Sequence, residues 1–176
     1  GPGYTYSWDE LPGNPGFSTI FNPSVSPNTT TTYVVTVTDQ NNCVGSDSVT
    51  IYVNPVPTMN APANITACNG DALPASAFTS NPAGASFAWT NSDPTIGLAA
   101  SGTGNTPAFS ATNTGTTPIT ATITVTPTAN TCVGNPVTYT ITVNPTPTVI
   151  VPANDTVCDG ATVAAANFTS TPAGGT

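Results

Sequence analysis

Residues 54–86 and 144–176 are two copies of one segment. A slide of ninety positions lays one on the other with 17 identities in 33. Among them are Asn54/Asn144, Pro57/Pro147, Pro62/Pro152, Cys68/Cys158, Gly70/Gly160 and Phe78/Phe168, and Pro82-Ala83-Gly84 falls on Pro172-Ala173-Gly174. A second match, at a slide of 88 to 90, lays 36–58 on 124–148. Self-similarity at a fixed period marks a repeat architecture in which each repeat is one folding unit. The period divides the chain into the back part of one unit (1–54), a complete unit (55–144) and the front of the next (145–176). The chain thus reads as a window on a tandem array, and each unit's first expected partner is its neighbour in the same chain.

Inside the complete unit the pattern is that of strands. "ITATITVTPT" (119–128) and "PVTYTITVNP" (136–145) alternate apolar residues with Thr at period two, as a half-buried antiparallel pair requires. The intervening "TANTCVGN" supplies Asn and Gly for a hairpin turn. Thr suits the wet face because it keeps β-branching while exposing a hydroxyl. "DALPASAFTS" (71–80), "ASFAWTN" (85–91) and "TPAFSATN" (106–113) read as shorter strands between Gly, Pro and Asn clusters, and no segment has helical periodicity. About seven strands in a unit of this length, with turn signals every 8 to 12 residues, predict an all-β, immunoglobulin-like sandwich. Trp89 is the largest apolar side chain on a period-two strand and is expected in its core. "NPVPT" and "NPTPT" read as short, semi-rigid spacers between successive sandwiches, since Pro fixes φ and lacks a donor.

Charge removes whole classes of function. The 176 residues hold no Lys, Arg or His against eight Asp and Glu, a formal charge of −8, while Thr fills 36 positions. No cation is available to meet phosphate, so nucleic acid is not a partner, and anionic membrane surfaces repel the chain. No apolar run approaches the 18 or so residues of a membrane span. Without His, Lys or Arg, the Ser-His-Asp, Cys-His and lysine-based schemes are all closed, so an enzyme is not expected. The adjacent Asp9 and Glu10 read as a solvated loop rather than a glycosidase pair. Asp39 and Asp71 lie in oxygen-rich loops, but no acidic spacing gathers the ligands Ca²⁺ wants, and neither CxxC nor His is present to build a zinc site. No cofactor is implied. Trypsin has no bond to cut.

One combination of motifs points to a family. "TACNGDAL" near the front of the unit, the aromatic-Trp strand ("FAW", and "YTYSW" at 4–8), "TTTYVVTVTDQNNCVGSDSVTIYVNP" near the back and the Pro-rich link resemble the PKD-like and related immunoglobulin-like repeats of giant surface proteins of the Bacteroidota. These include gliding-motility adhesins exported by the type IX secretion system. The resemblance covers the whole chain. It implies a secreted, cell-surface adhesin or extracellular filament that sets length and stiffness and attaches to surfaces or glycans, with other copies of the chain as lateral partners in a filament. A passive spacer stalk holding a distant catalytic or binding domain is the alternative. The lack of a signal peptide then fits the interior of a longer secreted precursor. In the complete unit "TTPITATITVT" replaces "TTTTYVVTVTD", so the packing anchored by Tyr33 in the first unit has no counterpart there. The resemblance also implies O-glycosylation where Asp precedes Ser or Thr and then an apolar residue, which singles out Ser48 in "DSV" and Thr156 in "DTV".

Cysteines are allotted two to a unit. Cys68 near the front and Cys132 near the back make an intradomain disulfide the expectation for an oxidising compartment, leaving Cys43 and Cys158 to partners outside the window. Four unbonded thiols, or an interdomain bridge from Cys43 to Cys68, are the other possibilities.

Overall fold

The computed structural model describes residues 3–165 and 167–171; the second Pro-Ala-Gly, at 172–174, lies outside them. Its contacts divide the chain into Gly1–Val56 and Pro57–Thr176.

The first unit is one antiparallel sheet. β1 (Tyr4–Leu11), β2 (Asn14–Ser18), β3 (Thr31–Asp39) and β4 (Val44–Ile51) lie in the order β2-β1-β3-β4. Pairing sets Trp8 opposite Val35, Tyr6 opposite Val37 and Tyr33 opposite Val49, so one face is apolar. The alternate residues Thr32, Thr36, Thr38, Ser46, Ser48 and Thr50 make the other face polar. Segment 19–30 folds over part of the apolar face: the Trp8 indole donates to the Ile20 carbonyl at 3.1 Å and the Phe21 ring meets Tyr6 edge-on at 5.3 Å. Tyr33 is buried against Phe17.

The second unit has two layers. β5 (Ile65–Cys68), β6 (Ala72–Leu73), β7 (Ser86–Asn91), β8 (Ser101–Thr103), β9 (Phe109–Ser110), β10 (Ile119–Ala129), β11 (Cys132–Val133) and β12 (Val137–Asn144) follow in order. The larger sheet runs β5-β12-β10-β7-β8, with β5 parallel to β12 and the other pairs antiparallel. Ala121, Ile123, Val125, Tyr139, Ile141, Val143, Ala67 and Trp89 cover its inner face. The facing layer brings Phe78, Ile96, Leu98 and Ala111, and is held by the β6–β9 pair and by bridges from Thr58 to Asn81 and Ser76 to Thr106. Trp89 is 4% exposed, as expected of the core anchor. Val35 and Val125 are the partners of Trp8 and Trp89, so Tyr33 of β3 corresponds to Ile123 of β10, and a ring reaches this core from β12 instead, as Tyr139, where β4 carries Val49.

Several elements differ from the sequence reading. Of 71–80 only Ala72–Leu73 is strand, and of 106–113 only Phe109–Ser110; Pro74 lacks an N–H for the ladder, and the side chains of Asn105 and Thr106 bond the backbone of Phe78 and Ser76 instead. β5 and β8 were not read as strands, being four and three residues long. One 3-10 turn, Pro94–Ile96, is capped by the Asp93 carboxylate and closed by Gly97 at φ 97°. The hairpin turn is made by Asn130 (φ 47°) and Thr131 (φ 69°) rather than by the Gly of "TCVGN". That glycine, Gly134, lies where a Cβ would fall on the Pro57 carbonyl oxygen.

Past Asn144, β13 (Thr148–Ile150) and β14 (Thr169–Thr171) pair with Thr148 opposite Thr171, ninety residues on from the Thr58–Asn81 bridge. The turn at Gly70, where Asp71 donates to the Cys68 carbonyl at 3.1 Å, likewise recurs at Gly160, where Ala161 donates to the Cys158 carbonyl at 3.1 Å.

Candidate functional site: the threonine face and the poles of the sandwich

Period-two alternation sends every second residue of the larger sheet outward. In β10 these are Thr120, Thr122, Thr124, Thr126 and Thr128, and in β12 Thr138, Thr140 and Thr142. Register stacks them into rows. Thr66, Thr142 and Thr120 form one row, Thr140 and Thr122 a second, and Thr138, Thr124, Thr90 and Ser101 a third. Rows recur about every 6.6 Å along a strand, with about 4.8 Å between strands. The Thr120 and Thr142 hydroxyls are 3.0 Å apart, and the Asn64 side chain extends the edge by accepting from the Thr140 N–H at 2.9 Å. The result is an uncharged lattice of methyls and hydroxyls in which each residue is exposed or half-buried.

Chain entry and exit lie at opposite ends of this lattice. Entry is at Pro57, buried beside Gly134 and Pro127 where the β10–β11 hairpin turns back. Exit is at Asn144, paired with Cys68, with the Thr146 hydroxyl bonded to the Asn69 carbonyl at 3.3 Å. The β10 residues between these ends span about 30 Å.

This polarity corrects the expected disulfide. Cys68 follows Ala67, which pairs with Val143 and so sits level with Ile119; Cys132 pairs with Ala129. The two levels lie at the opposite ends of β10, whose 11 residues run from 119 to 129, roughly 30 Å, whereas bridged Cα atoms lie no more than about 7 Å apart. Cys68 and Cys132 are not bonded to each other, and neither Cys43 nor Cys158 is in a disulfide. Even allotment per unit counts cysteines but carries no information about which pole each occupies.

The acidic side chains serve turns. Asp39 accepts from the Asn41 and Cys43 N–H groups, both at 2.8 Å, Asp71 from Cys68 at 2.7 Å and Asp9 from Gly16 at 2.7 Å. Among the described residues, no three His, Cys, Asp or Glu side chains come together as a metal site. Glu10 accepts from the Tyr33 hydroxyl at 3.4 Å; burial, then the charge and hydrogen bond of Glu10, raise the tyrosine pKa above its ordinary value. Ser48 lies on the exposed polar face of β4, and Thr156 is exposed beyond Asn144. In both, the preceding carboxylate folds onto the acceptor's own N–H, Asp47 at 2.7 Å and Asp155 at 2.8 Å. No helix among the described residues is long and apolar enough to cross a membrane.

Comparison with known proteins finds a likeness within the second unit. Residues 65–147, from the start of β5 to just past β12, match the PKD-like domain family. No curated protein matches the chain. Among solved structures it is similar to a complex of Dpr2 Ig1-Ig2 with DIP-Theta Ig1-Ig3, at 9% identity and a TM-score of 0.37, covering 84% of this chain and 59% of that one. It is also similar to the human Desmocollin-1 ectodomain, at 14% identity and a TM-score of 0.31, covering 88% of this chain and 36% of that one. The chain therefore spans 59% and 36% of the length of these neighbours.

Proposed function

We propose that this chain is a segment of a tandem array, with units at 1–54, 55–144 and 145–176, in a secreted cell-surface adhesin or extracellular filament. The observation that carries the reading is the placement of Pro57 and Asn144 at opposite poles of a PKD-like sandwich. A unit entered at one pole and left at the other holds its two chain ends about 30 Å apart. The PKD-like match and the internal repeat support the Bacteroidota reading of a type IX-secreted, gliding-motility-type protein outside the cell. Such a role needs no catalyst, and the carboxylates bonded to backbone N–H groups are occupied in holding loops.

The threonine face is the attachment surface in this reading. An uncharged lattice of hydroxyls and methyls suits neutral, hydroxyl-rich partners such as glycans and hydrated solid surfaces, because no ionic shell has to be stripped from either side. Ser48 and Thr156 are the proposed O-glycan acceptors, which intact-mass measurement on protein from the native host tests directly. Beads carrying the chain should be retained on a neutral polysaccharide film under flow, and Thr122→Asp, at the middle of the lattice, should release them without unfolding the domain. A passive stalk gives no retention by either protein, and that result would transfer the adhesive role to flanking domains.

A further inference from the structure

The threonine face of the second unit has two properties that contact with a soft partner does not require: a fixed repeat in both directions and an absence of charge. Register places Thr66, Thr142 and Thr120 in one row and Thr138, Thr124 and Thr90 in another. The two repeats, about 4.8 Å across the strands and about 6.6 Å along them, lie near those of the water oxygens on a prism face of hexagonal ice. Each position carries a methyl and a hydroxyl, and a hydroxyl both donates and accepts, as water does. The Thr120 and Thr142 hydroxyls stand 3.0 Å apart, near the spacing of a hydrogen-bonded O–H···O pair. β-Branching leaves χ1 stiff, so the array is held before anything binds to it. The acidic residues of 55–144 are Asp71 and Asp93. Both are held in turns, Asp71 by the Cys68 N–H and Asp93 by the Thr95 N–H, and neither is on a strand of the larger sheet.

We propose that this face binds ice. The hydroxyls take the places of lattice oxygens and the methyls fill the hollows between them, so a crystal surface meets the sheet while its outermost waters keep hydrogen-bond partners. A charged side chain in the array would hold a hydration shell of its own against that order. A face that only had to stay wet would accept Ser, Asn or Gln in any arrangement, yet every outward position of β10 from 120 to 128 and of β12 from 138 to 142 is Thr. The right-handed twist of a sheet limits the match to a patch a few strands wide, so one unit holds ice weakly and its binding is read as enrichment. The inference rests on the threonine face as the attachment surface and names ordered water as the partner that its spacing selects.

The test uses the full chain in dilute solution, with ice grown slowly on a cold probe and the protein measured in the ice and in the remaining liquid. Growing ice rejects ordinary solutes, so enrichment in the ice is the expected result, together with faceting of single crystals held just below the melting point. Thr120→Leu and Thr138→Leu, both at exposed positions, break the lattice without adding charge. Each should lower the enrichment about tenfold while circular dichroism stays that of the folded protein. Thr116→Leu, exposed in the loop before β10, should leave the enrichment as it was. Rejection of the unaltered chain by the ice overturns the proposal, and so does enrichment that survives both lattice substitutions. Retention on the polysaccharide film reads the underlying assignment separately: a chain that ice rejects and the film retains keeps its adhesive face and overturns only the ice partner, whereas a chain that neither retains overturns both.

Discussion

Tyr139 and Trp89 bring polar atoms into the second unit's core with no hydrogen-bond partner, the phenol oxygen and the indole Nε1. Asn113, equally buried, is fully used: its side chain donates to the Val143 carbonyl at 2.7 Å and the Thr117 carbonyl at 2.9 Å and accepts from Gly115 at 3.0 Å. An unsatisfied buried hydroxyl pays for desolvation without return, so Tyr139→Phe should be neutral or stabilising by up to about 1 kcal/mol in denaturant unfolding. A loss larger than that would mean the hydroxyl is bonded in solution. Thr131 carries the opposite burden, a β-branched residue at φ 69°. Thr131→Gly creates the Asn-Gly turn that favours positive φ at both positions and should raise the melting midpoint, by about 1 kcal/mol in free-energy terms. In the first unit the raised pKa of Tyr33 sets a pH dependence. The folded state keeps the phenol proton to higher pH than the unfolded chain, which ionises near its ordinary value of about 10. This contribution is complete below pH 10 or so and is lost as pH rises through the folded pKa. Glu10→Gln removes two of the causes and should bring the Tyr33 titration, followed by the ring resonances, back toward the ordinary value.

At the scale of elements, two glycines in the same motif have different neighbours. Gly134 of "TCVGN" is pressed against the backbone oxygen of Pro57, while Gly45 of "NCVGS" faces open space. Gly134→Ala must move the entering chain or the hairpin, and should cost about 1–3 kcal/mol, the range for overpacking a filled site. Gly45→Ala should leave the unfolding midpoint of the dilute chain unchanged. Equal effects at the two sites would show that the contact with the entering strand does not restrain the hairpin. β5 shows the same dependence on a neighbour. Its four residues form a strand because β12 offers an edge and Asn64 adds a side-chain bond to it.

Over the whole molecule, the separation of Cys68 from Cys132 determines how the second unit answers to reductant. Had the two been joined, the closed loop would have contributed roughly 4 kcal/mol. Because they sit at opposite poles, unfolding midpoints measured with and without reductant should coincide. A marked drop on reduction would require a rearrangement that brings the poles together.

Period-two patterning at 119–128 and 136–145 was enough to place β10 and β12 and their inward faces, and the strand pattern at 85–91 to place Trp89, because an alternating strand has only one way to bury its apolar side. The ninety-residue slide likewise exposed the equivalence that the recurring turn and β-pair follow, and the missing cations closed off the common nucleophilic schemes before any fold was known. Local sequence could not place β5, β8, the turn at Asn130-Thr131 or the purpose of Gly134, since each depends on a partner distant in the chain. The rows of threonine arise only when register aligns four strands, and composition alone cannot distinguish that lattice from scattered hydroxyls. The cysteines show the same division. Their number per unit is a property of the sequence, whereas their separation is set by the direction in which β5 and β10 run, which only the tertiary structure decides.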